Sequence, residues 1–223
     1  MDPPRRTALN SAYRRRLIPY NPAGQVELDA EPVHERDVWT PAQLATFLAH
    51  ASGDRLGAAL HLIAFTSIRR GECCGLRWSD VDLDAGTVTI RQQLTQTGRA
   101  REFGEPKTRR GARVLSLDSG TVGALRILKA GQAAERLAWG PTYSAHDLVL
   151  CREDGSPVAP DQVSRRFIAL STDADLPRIV LHGLRDTHAT HALAAGVDVT
   201  IVSKRLGHSR SSFTADTYTR VLP

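Results

Sequence analysis

No apolar run in the 223-residue sequence approaches the roughly 20 residues that a bilayer span needs. The opening, Met1-Asp2-Pro3-Pro4-Arg5-Arg6, lacks the apolar stretch of a secretory signal. Both shortfalls favour a soluble, intracellular protein with no membrane partner. Cysteine is scarce. Cys73 and Cys74 are adjacent, Cys151 is left over, and no metal-ligand spacing connects them. That suits a reducing compartment, with the three thiols as small core fillers. Internal repeats and low-complexity tracts are missing, and 41% hydrophobic against 24% charged residues excludes a disordered chain.

An excess of one charge is present but small. Lys and Arg number 29 against 24 Asp and Glu, for a pI near 9.5. The basic residues cluster at Arg14-Arg15-Arg16, at Lys107-Thr108-Arg109-Arg110 and at Lys204-Arg205. Such clusters suit a polyanion, and equally a solvated basic surface.

Residues 1–39 differ in character from the rest of the chain. A short basic helix is expected over 7–17, and Pro19, Pro22 and Pro32 forbid its continuation. The compact domain, 40–223, begins where Thr40 caps a helix opened by Pro41. Residues 56–65 read as a buried helix, 80–86 as a turn, and Thr87-Val88-Thr89-Ile90 as a strand. Gly98, Gly104 and Gly111 punctuate two further strands, the last over 113–117. Together these predict a three-stranded antiparallel sheet whose loops carry Arg99, Arg101, Lys107, Arg109 and Arg110. Helices are expected over 119–138, 160–171, 184–195, 199–206 and 211–219, with an extended piece at 148–151. The fold class is therefore mainly α with a small antiparallel sheet.

Five short motifs hold the chemistry-bearing residues. Tyr218 lies in Asp216-Thr217-Tyr218, ten residues after the His of Leu206-Gly207-His208. His182 and Arg185, in Leu181-His182-Gly183-Leu184-Arg185, are three apart and share a helix face. Arg69 comes after the buried helix in Thr66-Ser67-Ile68-Arg69-Arg70-Gly71-Glu72. Lys107 sits in Pro106-Lys107-Thr108, between two strands. Each motif alone is weak. In this order and spacing, with Gly75-Leu76-Arg77-Trp78-Ser79-Asp80-Val81-Asp82 beside them, they resemble the tyrosine recombinase (phage integrase) family over residues 40–223.

The resemblance implies a tyrosine recombinase catalytic-domain fold and DNA strand cutting and rejoining. It places Arg69, Lys107, His182, Arg185, His208 and Tyr218 on the family's six active-site positions. A tyrosine oxygen attacking a phosphodiester builds charge on two non-bridging oxygens, which fixed donors must meet. Arg69 and Arg185 offer planar forks for that purpose, with His208 as a further donor. A phenol with a pKa of about 10 needs a base, for which His182 is the candidate, and Lys107 is the candidate acid for the departing 5′ oxygen. Glu72 is a carboxylate able to buttress an arginine, or else a surface helix residue. Arg109, Arg110, Lys204 and Arg205 are expected on DNA. No cofactor and no metal are expected, and the location implied is the cytoplasm of a bacterial or phage-infected cell.

Three rival readings compete with this one. Zinc on His182, His188 and His191 lacks a fourth ligand and would be repelled by the nearby arginines. A catalytically silent DNA-binding remnant would tolerate changes at the six positions, all of which are occupied. A type IB topoisomerase shares the chemistry but not the Leu-Gly-His and Asp-Thr-Tyr wording. The chain also departs from the family. Ser67 stands where Gly is frequent, a mild change if the local backbone keeps a negative φ. Residues 1–39 resemble only the last helix and linker of a core-binding domain, so weak binding to double-stranded attachment sites is expected. Five residues come after Tyr218, which predicts a monomer without DNA, the tetrameric synapse belonging to a fuller protein.

Overall fold

The computed structural model of the chain describes residues 3–22, 37–98, 100–106 and 112–207, with backbone alone for 3–7. It divides into two units, residues 1–35 and 36–223. In the first, helix α1 (Pro3–Arg14) starts four residues before the expected position, because a proline is tolerated in a helix's first turn. The helix is over before Arg16, whose φ of 56° breaks it. The Asn21 side-chain amide donates to the Asn10 carbonyl oxygen at 2.5 Å, folding the exit back on the helix.

The second unit is built around a helix that has no polar face. In α3 (Gly57–Thr66), Ala59, Leu60, Leu62, Ile63 and Ala64 are all buried. On it pack α2 (Pro41–Ala51), α5 (Ser119–Trp139) and α7 (Leu181–Ala194), and α6 (Pro160–Asp173) packs in turn on α2 and α7. Trp39, Phe47 and Phe167 pack with ring centroids 5.0 to 5.5 Å apart and seal the end of the core. Helix α2 opens as the Thr40-Pro41 pair predicts. Thr40 Oγ1 accepts from the Gln43 amide, and Gln43 Oε1 accepts from the Thr40 amide in return. Helix α5 is capped by Asp118, whose carboxylate accepts from the Thr121 amide. Cys73, Cys74 and Cys151 are buried and unbridged, and burial pushes the Cys74 thiol up to about 12.

The sheet differs in membership from the expectation. Three antiparallel strands are present, in the order β1 (Val81–Asp82), β2 (Thr87–Ile90) and β5 (Arg113–Ser116). Residues 80–86 hold more than a turn, since Val81 and Asp82 pair with Val88 and Thr87. Asp82 accepts from the Asp84 and Ala85 amides, and that pair of bonds closes the tight connection. The expected middle strand instead folds on itself, as a separate ribbon of β3 (Gln93–Thr97) and β4 (Ala100–Gly104). Leu94 is the one buried side chain in β3, and β4 buries none, so the ribbon lacks the alternating buried face that the central strand β2 presents to the core.

A short helix, α4 (Arg70–Gly75), lies directly on that ribbon. A Cβ added at Gly71 would stand 2.9 Å from the Leu94 carbonyl oxygen, and one at Gly75 2.7 Å from the Gln93 carbonyl carbon. Only glycine allows this approach. Helix α7 starts at Leu181 rather than 184, because Leu181 and Leu184 are both buried one turn apart. His182 consequently sits in its first turn. Helix α8 (Val199–Leu206) is held against α7 by a small cluster of Ala189, Val202 and Leu206. The helix expected over 211–219 lies outside the described residues. Among the described residues no helix is long and apolar enough to cross a membrane.

Candidate active site

The site begins where α3 stops. Ser67 has φ 57°, so the negative φ that would have made it a mild substitute for glycine is not what this position uses. A left-handed C-cap ends α3 here, with the Ser67 amide bonded to the Ile63 carbonyl. The Ser67 hydroxyl is buried and has no hydrogen-bond partner among the described residues. Replacing Ser67 by Gly should therefore raise unfolding stability by about 1 kcal/mol, relieving the left-handed strain and the unpaired hydroxyl together. Thermal unfolding would show this as a rise of roughly 2–4 °C.

Two residues on, Arg69 is extended (φ −73°, ψ 151°) and caps α4, whose third residue is Glu72. Glu72 is 1% exposed and is ringed by donors. Its Oε2 accepts from the Arg69 amide at 2.8 Å and from Arg113 Nη2 at 2.9 Å. Its Oε1 accepts from Arg69 Nη1 at 2.9 Å and from Arg113 Nη1 at 3.0 Å. Burial pushes this carboxyl up, but the bonds and charges of Arg113 and then Arg69 outweigh it and hold it below the ordinary range.

Arg185, on α7, is 2% exposed. Its Nη1 donates to the Ser67 carbonyl, and its Nη2 to the Leu206 carbonyl at 2.6 Å. Leu206 is one of three consecutive carbonyls at the end of α8 that each meet an arginine. Arg113 Nε donates to the Arg205 carbonyl at 2.8 Å, and Arg69 Nη2 to the Gly207 carbonyl at 3.1 Å. Helix ends leave such carbonyls unpaired and electronegative, so guanidiniums are their natural partners. Gly207 is left-handed (φ 64°), and a Cβ there would come within 3.2 Å of Arg113 Nη1 and 3.3 Å of Arg69 Nη1. The chain passes from Gly207 directly into His208.

Arg69, Arg185 and the exposed His182 line one cleft of about 540 Å³, together with Arg70, Gln93 and Ser164. Here Arg70 Nη1 donates to Ser164 Oγ at 2.8 Å and stands 3.2 Å from Asp161 Oδ1. The structure thus brings together Arg69, Glu72, His182 and Arg185. Lys204 and Arg205 lie in the last turn of α8; Lys204 is exposed, while Arg205 reaches the Ser116 carbonyl at 3.2 Å. Lys107, Arg109, Arg110, His208 and Tyr218 lie outside the described residues.

Arg113 has no place among the residues expected from sequence. It sits opposite Ile90 in the ladder and shares its face with buried Leu115, while Val114 is exposed. An arginine on the apolar phase of a strand was the available signal.

Of the two further histidines on α7, His188 is held down to about 4 by burial first, then by the Arg205 charge, although a bond to the Ala64 backbone opposes both. A histidine kept neutral when folded costs nothing at neutral pH, whereas the unfolded chain gains a proton below about 6.5. Stability should therefore fall by about 3 kcal/mol between pH 6.5 and 4, a loss that His188→Gln should largely remove in urea titrations. Among the described residues no group of three or more His, Cys, Asp or Glu could hold a metal ion.

Comparison with known proteins is decisive. The sequence profile of the phage integrase family matches residues 38–223. The chain belongs to that family. Among the curated relatives, the "Tyrosine recombinase XerC-like" protein of Caldanaerobacter subterraneus subsp. tengcongensis is 28% identical over 221 residues, covering 93% of this chain and 54% of the relative. The "ICEBs1 integrase" of Bacillus subtilis is 25% identical, over 96% of this chain and 58% of its own length. The chain thus spans a little over half of these phage integrase relatives. Among solved structures, the Tn1549 transposon integrase in complex with a circular intermediate DNA superposes with a TM-score of 0.74, at 22% identity, over 96% of this chain and 71% of that one. The XerA recombinase gives 0.67 at 22% identity, over 84% and 61%. The fold is that of tyrosine recombinase catalytic domains.

Proposed function

We propose that this chain is the catalytic part of a site-specific DNA recombinase that cuts and rejoins strands through a 3′-phosphotyrosine. The observation that carries the reading is the convergence of Arg69, Arg185 and His182 on one cleft, at the carbonyl end of α8 that leads into His208. Tyr218 is the nucleophile. Its phenol oxygen bonds to phosphorus as the bond to the 5′ oxygen breaks, its proton passes to His182, and Lys107 protonates the leaving 5′ oxygen. The charge on the non-bridging oxygens is met by Arg69, Arg185 and His208, so no metal and no cofactor take part. Attack by another strand's 5′-hydroxyl then frees the tyrosine.

Double-stranded DNA is the substrate in this reading. Arg109, Arg110, Lys204 and Arg205 contact its phosphates, and residues 1–39 are the end of a core-binding domain. The chain is monomeric until DNA assembles four protomers, and it works in the cytoplasm. Support comes from the family and from neighbours of the same fold solved on DNA, the Tn1549 integrase among them.

The test uses a randomised pool of nicked duplexes, incubated with the chain in the presence of chelator. The expected result is a denaturation-resistant protein–DNA adduct, formed by the wild type and lost in Tyr218→Phe. An adduct that survives Tyr218→Phe would remove the nucleophile assignment. DNA binding with no adduct would leave the DNA-binding remnant in its place.

A further inference from the structure

We propose that Arg113 is a positioning residue for strand cleavage, a single guanidinium that aligns Arg69 through Glu72 and fixes the end of α8 beside it. This rests on the cleavage reading above. The Arg113 side chain is 8% exposed, although its strand is half solvated. Two of its nitrogens grip both oxygens of Glu72, at 3.0 and 2.9 Å, and its Nε holds the Arg205 carbonyl at 2.8 Å. Three elements far apart in sequence therefore meet on one planar group: β5, the head of α4 and the end of α8.

The consequences run in two directions. Through Glu72, the clamp sets Arg69, whose backbone amide and Nη1 both bond to the same carboxylate. Through the Arg205 carbonyl, it sets the turn at Gly207, whose own carbonyl binds Arg69 Nη2. Arg69 is thus held from both ends, and both restraints lead to Arg113. Arg113 does not line the cleft. Its effect would come from geometry alone, where a displacement of about 1 Å at a reacting group can cost about 10²-fold in rate.

Only a fork of donors can make these bonds together. Lysine keeps the charge but places one ammonium, which can reach Glu72 or the Arg205 carbonyl but not both. The test compares wild type, Arg113→Lys and Glu72→Asp. The latter retains the charge and withdraws the carboxylate from Arg113 by one methylene. Three quantities are measured: affinity for a duplex recovered from the nicked pool, single-turnover cleavage at saturating DNA, and hydrogen exchange of the Gly207 amide.

Both variants should bind DNA within about threefold of wild type, because neither Arg113 nor Glu72 lines the cleft that takes the phosphate. Cleavage at saturation should fall by about 10²-fold, and Gly207 exchange should quicken by about 10-fold, with the α3 amides unmoved. Wild-type cleavage in Arg113→Lys would overturn the proposal, as would a loss that merely tracks DNA affinity or a general fall in protection. If even wild type forms no adduct while Gly207 still loosens in the variants, the cleavage reading fails and the clamp on α8 stands.

Discussion

Arg185→Lys should reduce strand cleavage by roughly 10²–10³-fold while leaving DNA affinity almost unchanged, the loss expected when one preorganised donor to a developing oxyanion is removed. The change is large because Arg185 has two tasks. Its guanidinium bridges the carbonyl of Ser67, at the end of α3, and that of Leu206, at the end of α8. Both carbonyls are buried with their residues, and an ammonium can satisfy only one of them. The orphaned acceptor should cost about 1–3 kcal/mol of stability in addition to the rate. Denaturant unfolding and single-turnover cleavage on one preparation separate the two effects. A lysine variant that is less stable but cleaves normally would remove Arg185 from the chemistry and leave it as a cross-brace.

The second large effect is expected at Glu72. Glu72→Ala removes the counter-charge of two arginines, of which Arg113 is nearly buried and Arg69 is half-exposed. Uncompensated burial of such a group typically costs about 3–5 kcal/mol. The solvent reaching Arg69 places this site at the lower end of that range. The same carboxylate makes stability pH-dependent. Its folded pKa lies below the ordinary value, so its contribution is complete above the normal glutamate range and is lost as pH falls from there through the lower folded value. Wild type should therefore weaken in mild acid, and Glu72→Gln should flatten that part of the profile. A Gln variant with the wild-type acid limb would show that the ion pairs contribute little.

Much of the fold was legible because its signals are local. Thr40-Pro41 announces the start of α2, the apolar 56–65 run announces a buried helix, and the β-branched 87–90 run announces a strand. What stayed hidden was settled by distant contacts. Helix α4 contains Arg-Gly-Glu-Cys-Cys-Gly, with no apolar periodicity, and its glycines matter only because β3 lies against them. The 93–104 ribbon alternates weakly enough that pairing with β2 or with itself could not be distinguished from pattern alone. In the candidate site, motif order singled out Arg69, His182 and Arg185, which line one cleft. Arg113 was marked only by its place on the apolar phase of its strand, and its partner Glu72 stands 41 residues away. The left-handed conformation of Ser67 was equally hidden, because it reflects where α7 needs a carbonyl, not what serine prefers.

The β3–β4 ribbon has a consequence for how such proteins can diversify. It shares no ladder with β1, β2 and β5, and β4 is solvent-exposed at each of its five residues. It is tied to the body by buried Leu94 against the two glycines of α4, by an Arg101 bond to the Pro157 carbonyl and by the Phe103–His146 ring contact. Lengthening or shortening its tip, at Gly98, disturbs no buried backbone bond of the main sheet, and loop length itself has only a weak, logarithmic entropic cost. The ribbon is thus a segment whose reach can be reset by insertion or deletion without refolding the domain. Relatives sharing this scaffold should differ more in length between Gln93 and Gly104 than anywhere within α3.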